Sequence, residues 1–389
     1  NNRDLRAAAA RVDQAGATAR MNGSSLYPSL GLQGLIGQTD TQIISLGASW
    51  EIDFWGRVRY QARAAKSQYQ ASQADYRWAE QSLAASVANN WFNLIEISQI
   101  IMLTEQAITA QESLLTISKQ RVKTGISPAT DIAETENILR GMRIDLSALQ
   151  LARTQTTQAL EVLVGRYPAD ALRTVMKLPV ISPVAIDLPA NLLERRPDLV
   201  AAEQRVAAAF DLEKAADAAR LPTISLNLAI TDISSDIFLL NSANTPITGF
   251  SAGFLAPLFT GGYLKAQSEY YNAKQREAAI AYGSMALNAL KEVEGALRAE
   301  TNLANQAQQQ STIVSQEQEL LRKEDIRVRV GSRDPRSALK RKQSALYADI
   351  AYQQIHADQV NQRVALMLAL GGTWNLEQNT TDSSAPAAK

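Results

Sequence analysis

The chain has no cysteine among its 389 residues, which excludes disulfides, thiolate metal sites and thiol catalysis and is compatible with an oxidising compartment. Its single histidine, His356, lies on a polar helical stretch with no second ligand nearby in sequence. A solvated helix position is expected there, rather than metal binding or acid–base chemistry. Net charge is absent too, with 39 basic residues against 39 acidic ones, so no basic face points to nucleic acid. No apolar run approaches the ~20 residues of a membrane-spanning helix, a statement that leaves a membrane β-barrel open. No nucleophile, base and oxyanion set or metal-ligand spacing appears, so neither an enzyme nor a cofactor or metal is expected.

Helix breakers are missing where they matter most. From Gly56 to Val122 there is no proline and no glycine after the first position, and an apolar seam recurs every seventh residue at Val87, Leu94, Ile101, Ile108, Leu115 and Val122. That spacing marks helices packed knobs-into-holes. About 66 helical residues at ~1.5 Å each reach on the order of 100 Å. The same rod recurs from Tyr263 to Val328, with its seam at Val293, Ala307, Val314, Leu321 and Val328 and one break, Glu300.

The recurrence is a duplication. Val87 and Val293, Arg121 and Arg327, Gly125 and Gly331, and Gly165 and Gly371 all stand 206 residues apart. Earlier in each half the spacing is 194, as from Asp4 to Asp198, Val12 to Val206 and Pro28 to Pro222, so the second half holds a net insertion of 12 residues between Pro222 and Gly261. Internal repeats decide the architecture here. The first is placed at 1–190 and the second at 191–374, with a disordered tail at 375–389.

Between the first helix, Asp4 to Met21 with Asp4 as its cap and Asn22-Gly23 as its stop, and the rod, the period changes to two. Ile44, Leu46, Ala48, Trp50, Ile52 and Phe54 alternate with Ser45, Gly47, Ser49, Glu51 and Asp53, and Leu30, Leu32, Gly34 and Ile36 with small or polar neighbours. This predicts a hairpin over 29–54 with a turn at Gly37 to Gln42. In the second half a hairpin over 223–259 places Ile224, Leu226, Leu228, Ile230, Phe250, Ala252 and Phe254 on one face, around a polar loop from Asp232 to Thr248. Strands of roughly 10 residues, apolar on one side, suit an outer-membrane barrel, with Leu46, Trp50, Phe54, Phe250 and Phe254 facing lipid. A soluble sandwich is the alternative. Membrane barrels start at about 8 strands, so four strands per chain require several chains: two would make eight strands and three would make twelve.

The rods, 57–122 and 263–328, end in breaks from Thr124 to Pro128 and from Val330 to Pro335, after which helices run back over 129–164 and 336–370. The helices Asp4–Met21 and 198–219 have the size to cover the remaining length of each rod. The connector Arg166 to Pro197 and the stretch Asn375 to Lys389 would form a belt or stay disordered. The chain begins at Asn1, and its first helix lacks a counterpart of the lead-in Leu192-Leu193-Glu194-Arg195-Arg196-Pro197. A trimmed front is expected, with any export signal or lipid-bearing cysteine removed.

Leu192-Leu193-Glu194-Arg195-Arg196-Pro197-Asp198-Leu199, Trp50-Glu51-Ile52-Asp53-Phe54-Trp55-Gly56-Arg57, Pro257-Leu258-Phe259 with Gly261-Gly262, and Leu370-Gly371-Gly372-Thr373-Trp374 resemble the TolC-like outer-membrane efflux proteins, in particular their lipoprotein branch. The resemblance covers nearly the whole chain. It implies a mainly α fold with a transmembrane β part, in which long coiled-coil helices and hairpins trimerise into a 12-stranded β-barrel on a 12-helix α-barrel. The homotrimer would sit in the outer-membrane lipid of a Gram-negative bacterium, reach across the periplasm, and dock a periplasmic adaptor that links it to an inner-membrane RND pump. It would act as a passive exit duct for drugs or other small molecules. A channel for type I protein secretion and a soluble periplasmic coiled-coil scaffold are the rival readings; the Arg-Arg-Pro-Asp signature favours the drug-pump branch.

By the same resemblance the far turns are the working end. Arg121, Val122, Gly125 and Arg327, Val328, Gly331 match the family's tip pattern and become candidate adaptor contacts. Beyond the second turn the family has an apolar residue and an acid that narrow the pore, whereas this chain has Arg336 and Lys340 in a cluster with Arg333, Arg341 and Lys342. The first copy is acidic there, with Asp131, Glu134 and Glu136. Closure is therefore expected to use ion pairs between neighbouring hairpins, Asp131 or Glu134 with Arg336 or Lys340, in place of cation binding by a ring of acids.

Overall fold

The computed structural model describes residues 2–36, 42–172, 177–181, 195–234 and 247–372. Along them run α1 (Arg3–Ser24), β1 (Ser29–Ile36), β2 (Gln42–Ile52), α2 (Arg57–Lys123), α3 (Thr130–Leu163), α4 (Pro197–Ala218), β3 (Thr223–Ser234), β4 (Ile247–Leu255), α5 (Tyr263–Arg329) and α6 (Pro335–Ala369). The two long helices have 67 residues each, and neither contains a proline that would remove a backbone bond. Among the described residues no helix is long and apolar enough to cross a membrane.

Three local expectations are corrected. Asp4 lies inside the first turn of α1, not at its cap, and the helix runs past Asn22-Gly23 to Ser24. Within it Asn22 Nδ2 donates to the carbonyl of Thr18 at 2.9 Å, and the Asn-Gly pair does not stop the helix. The polar loop is shorter than Asp232–Thr248, because the strands take up both of its ends; residues 235–246, the turn at 37–41, most of the connector and the tail lie outside the described residues. His356 is half-buried, not merely solvated. Its Nε2 lies 3.1 Å from the carbonyl of Pro179, which can only accept, so Nε2 carries the proton.

The chain divides into two compact units, each built from both halves of the sequence. The unit comprising Leu5–Trp78 and Leu193–Asn288 contains one antiparallel sheet of order β1-β2-β3-β4. Directly paired residues share a face, and the register assembles the apolar positions into rows: Leu30, Ala48, Leu228 and Phe250; Leu32, Leu46, Ile230 and Thr248; Trp50, Leu226 and Ala252; Ile52, Ile224 and Phe254. The opposite face has Ser29, Ser49, Asn227 and Ser251 in one row and Gly31, Gly47, Ala229 and Gly249 in the next.

Where β2 enters α2, the Asp53 carboxylate accepts the N–H groups of Val58 at 3.0 Å and Arg59 at 2.8 Å, covering donors that a helix N-terminus leaves bare. The Arg-Arg-Pro-Asp signature has a structural use in the same unit. Pro197 opens α4, and Arg196, 2 % exposed, forks onto Asp198 at 3.1 and 2.8 Å while its guanidinium lies 5.1 Å from the Trp78 ring centre. α4 then packs through alanines, with Ala201 against Ala71 and Ala74 of α2.

The second unit takes the rest of α2 and α5 together with α3 and α6. The helices lie in the row α3-α2-α6-α5. Ala107 and Ile108 of α2 meet Leu139 and Met142 of α3 and Leu346 of α6; Ile95 meets Ala357 and Val360 of α6; Val293 of α5 meets Ala369 of α6. Leu94, Ile101 and Ile108 of the predicted seam are buried. Glu300, the break in the second seam, is met by Arg363, and the pair stands where the first repeat has Leu94 and Thr157, each 1 % exposed. At the far end of α3 the buried Glu161 carboxylate accepts the N–H groups of Ala171 at 2.8 Å and Asp170 at 3.0 Å, which holds it below the usual carboxylate range.

Candidate functional site: the helix tips and the apolar band

Each long helix ends in the same way. Gly125 and Gly331 have φ of +71° and +77°, a region that costs a side chain free energy and glycine almost nothing. The turn closes when Gly125 N–H bonds the carbonyl of Val122 at 3.0 Å and Ile126 N–H that of Arg121 at 2.9 Å; Gly331 and Ser332 do the same to Val328 and Arg327 at 3.0 and 2.9 Å. These are Schellman closures. The glycines therefore have a structural role whatever else they touch.

Four alternating charges join the two tips. Arg121, whose Nε donates to Ser127 Oγ at 3.2 Å, places Nη1 3.1 Å from Asp334 Oδ2. Asp334 caps α6, its Oδ1 accepting the N–H of Arg336 at 2.9 Å, and its Oδ2 lies 3.1 Å from Arg336 Nη2. Arg336 Nη1 in turn lies 3.4 Å from Asp131 Oδ2, on the first turn of α3. The helix N–H of Arg336, followed by the two guanidinium groups, holds Asp334 below its ordinary range. All four side chains are half-buried, which limits screening by salt.

Of the expected ion pairs, the structure brings together Asp131 and Arg336, within a single chain. Glu134 and Lys340 are exposed and form no ion pair among the described residues, and Arg333 is an exposed cation whose charge acts on Glu324. Arg327 turns to Glu324 of its own helix at 3.4 Å, unlike its counterpart Arg121. Val122 and Val328 are half-buried, whereas Ile126 and Val330 are 64 % and 72 % exposed on the turns. Asp334, Ile126 and Val330 escaped the sequence reading. An acid directly before a helix-opening proline was the available signal for Asp334.

In the sheet unit, the face expected to meet lipid is bare. Phe250 is 71 % and Phe254 80 % exposed, and Leu46, Trp50 and Phe54 are exposed as well. Contiguous apolar surface of this kind marks an interface with a membrane or a partner. Phe54 lies past the end of β2 and packs edge-on against Trp55 at 4.8 Å. The indole N–H of Trp50 donates to the carbonyl of Leu26 at 3.1 Å and that of Trp55 to the carbonyl of Pro222 at 2.8 Å, and both rings stay partly exposed.

Sequence comparison matches residues 1–166 and 188–372 to the family described as outer membrane efflux protein. A pyoverdine export outer membrane protein, OpmQ, of Pseudomonas putida KT2440 is 29 % identical over 406 residues, covering 98 % of this chain and 85 % of the relative. The cation efflux system protein CusC of Escherichia coli O6:H1 is 30 % identical over 401 residues, covering 96 % of this chain and 84 % of the relative. The fold superposes on the crystal structure of CusC with a TM-score of 0.80 at 27 % identity, covering 96 % of this chain and 90 % of that one.

Proposed function

This chain belongs to the outer membrane efflux protein family, and we propose that three copies of it form the exit duct of a tripartite efflux pump, passing small molecules from the periplasm to the exterior. One observation carries the assembly: a four-stranded sheet with one apolar face and two unpaired edges, β1 and β4. An open edge is not tolerated in lipid, so the sheet must close with other copies of itself. Three copies supply twelve strands and, from four long or returning helices each, a ring of twelve, the arrangement that the family resemblance implies. The two repeats, 1–190 and 191–374, then contribute alternate hairpins to that ring.

The tips are the end that meets the pump. Arg121, Val122, Gly125, Arg327, Val328 and Gly331 contact a periplasmic adaptor, with the exposed Ile126 and Val330 as additional apolar anchors, and the adaptor joins the duct to an inner-membrane RND pump. The cluster Asp131, Asp334, Arg336 and Arg121 holds the tips closed, with Glu134, Arg333 and Lys340 as an outer set of charges. Relatives of nearly equal identity are named for pyoverdine export and for cation efflux. Selectivity therefore lies in the pump. The duct performs no chemistry on its cargo, and a lipid anchor would help to hold it to the membrane.

The deciding measurement is the mass and shape of the detergent-extracted particle by light scattering and single-particle imaging. A three-chain hollow cylinder is expected. A monodisperse single chain in water without detergent overturns the reading.

A further inference from the structure

The sheet obeys the repeat to the residue. Ser29 pairs with Ser49 and Thr223 with Leu255, so that moving β1 by 194 residues and β2 by 206 reproduces the register of β3 on β4. The junction between the repeats, β2 on β3, pairs Ala48 with Leu228 and Gly47 with Ala229. Exchanging the repeats turns that junction into β4 on β1, the two edges that the chain leaves unpaired. Four strands are too few to close on themselves, so this image exists only between copies. There Phe254 falls opposite Gly34 of the next copy, and Gly253 opposite its Leu35.

Both image pairs match a bulky residue with a glycine. Phe254 is exposed on the apolar face of one edge and Leu35 on the opposite face of the other, and each has a glycine as its counterpart across the edge. A side chain beside a strand glycine covers backbone that has no cover of its own. Within the chain the sizes are reversed, since Ala48 of β2 is the small partner of Leu228.

The helical unit gives the same result separately. Gln343 Nε2 donates to Gln111 Oε1 and Asn361 Nδ2 to Asn93 Oδ1, both at 2.7 Å, which fixes the antiparallel register of α2 on α6. That register sets the buried Ala107 opposite Tyr347. Exchange of the repeats carries Ala107 to Ile313 of α5 and Tyr347 to Gly141 of α3, on the two outer helices of the row. Ile313 is exposed, and among the described residues a Cβ at Gly141 or Gly34 would have no atom of another element within 4 Å. Small against large inside the chain becomes large against small between chains.

We infer that copies of this chain recognise one another by seating bulky residues on glycines, Phe254 over Gly34, Leu35 over Gly253 and Ile313 over Gly141, in the register that the repeat fixes. The contact is head-to-tail, β4 and α5 of one copy meeting β1 and α3 of the next. It rests on the reading of the chain as a ring-forming duct.

Filling a seat tests it, because neither Gly34 nor Gly141 has a positive φ and both have room within their own chain. The single variants are G34L and G141Y. The double variants G34L/F254A and G141Y/I313A copy the internal pairs Leu228 with Ala48 and Tyr347 with Ala107. Light scattering on a dilution series in detergent gives the concentration at which half the chains are assembled. Each single variant is expected to raise it about tenfold or more through overpacking, and each double variant to recover most of that loss. Register is read separately by a short bis-thiol reagent, since the chain has no cysteine of its own. Q33C/L255C and L151C/L303C are expected to give covalent multimers, whereas Q33C/S251C and I144C/L303C, displaced along the strand or helix, are not. Single variants that assemble like wild type, double variants no better than the singles, or displaced pairs that link as readily overturn the inference. Wild-type protein that stays a single chain at every concentration overturns the ring reading itself, which separates the two failures.

Discussion

Asp334 Oδ2 stands 3.1 Å from Arg121 Nη1, so that the first residue outside α6 holds the last turn of α2. The same carboxylate caps its own helix. Capping its own helix and pairing with the neighbouring one therefore fall to one side chain.

The two duties can be separated by substitution. Asn caps a helix about as well as Asp but has no charge, whereas Ala does neither, at a cost of about 0.5–2 kcal/mol. Asp334→Asn is expected to raise open probability in bilayers with little change in thermal stability, and Asp334→Ala to raise it while lowering stability. Equal melting loss in both variants would show that the cap contributes nothing.

The proposed closure through Asp334 should also resist mild acid. Asp334 has a folded pKa below its ordinary 3.8, so its contribution is complete above that value and is lost only as pH falls through the lower folded one. Conductance is expected to stay flat from neutral pH down to about 4 and to rise below it. A rise beginning near neutral pH would place the gate on another group.

Glu96, half-buried on α2, behaves in the opposite sense. Burial, with the charge of Asp358 adding to it, raises its pKa from 4.5 to about 7. A carboxyl whose folded pKa is raised binds its proton more tightly when folded, so stability falls as pH climbs from the unfolded value to the folded one. Glu96→Gln is expected to raise the unfolding temperature at about pH 8 and to leave it unchanged at about pH 4. Equal gains at both values would mean a packing effect instead.

Glu300 and Arg363 occupy the seam with side chains 23 % and 14 % exposed. Removing one partner leaves a charge with little solvent, a change that costs ~3 kcal/mol or more in fully buried pairs and somewhat less here. Arg363→Thr alone is expected to lower stability clearly, and Glu300→Leu with Arg363→Thr, which copies Leu94 and Thr157 of the first repeat, to recover most of the loss. Chemical denaturation in detergent measures both. A double variant no better than the single would mean that the pair does not substitute for an apolar contact.

Phe250 tests the lipid face. A charge at a barrel midplane costs about 2–4 kcal/mol for Arg or Lys, and less toward the interface. Phe250→Arg is expected to impair insertion into lipid vesicles, while Ser251→Arg, one position along on the opposite face, is expected to insert normally. Equal insertion of both would remove the membrane assignment from this face.

Sequence alone determined the features that repeat along the chain. The lengths of the rods, their seams, the alternating strands and the spacing of 206 follow from local periodicity and from where glycine and proline fall, since helix and strand geometry translate directly into residue spacing. Tertiary structure decided which side chains meet across those elements. That Arg336 takes Asp131 in its own chain, that Asp334 joins it to Arg121, that Arg363 answers Glu300 and that His356 holds Pro179 all join residues far apart in sequence. Such pairs depend on the azimuth of each helix and on side-chain reach, which vary over a few ångströms that no periodicity encodes.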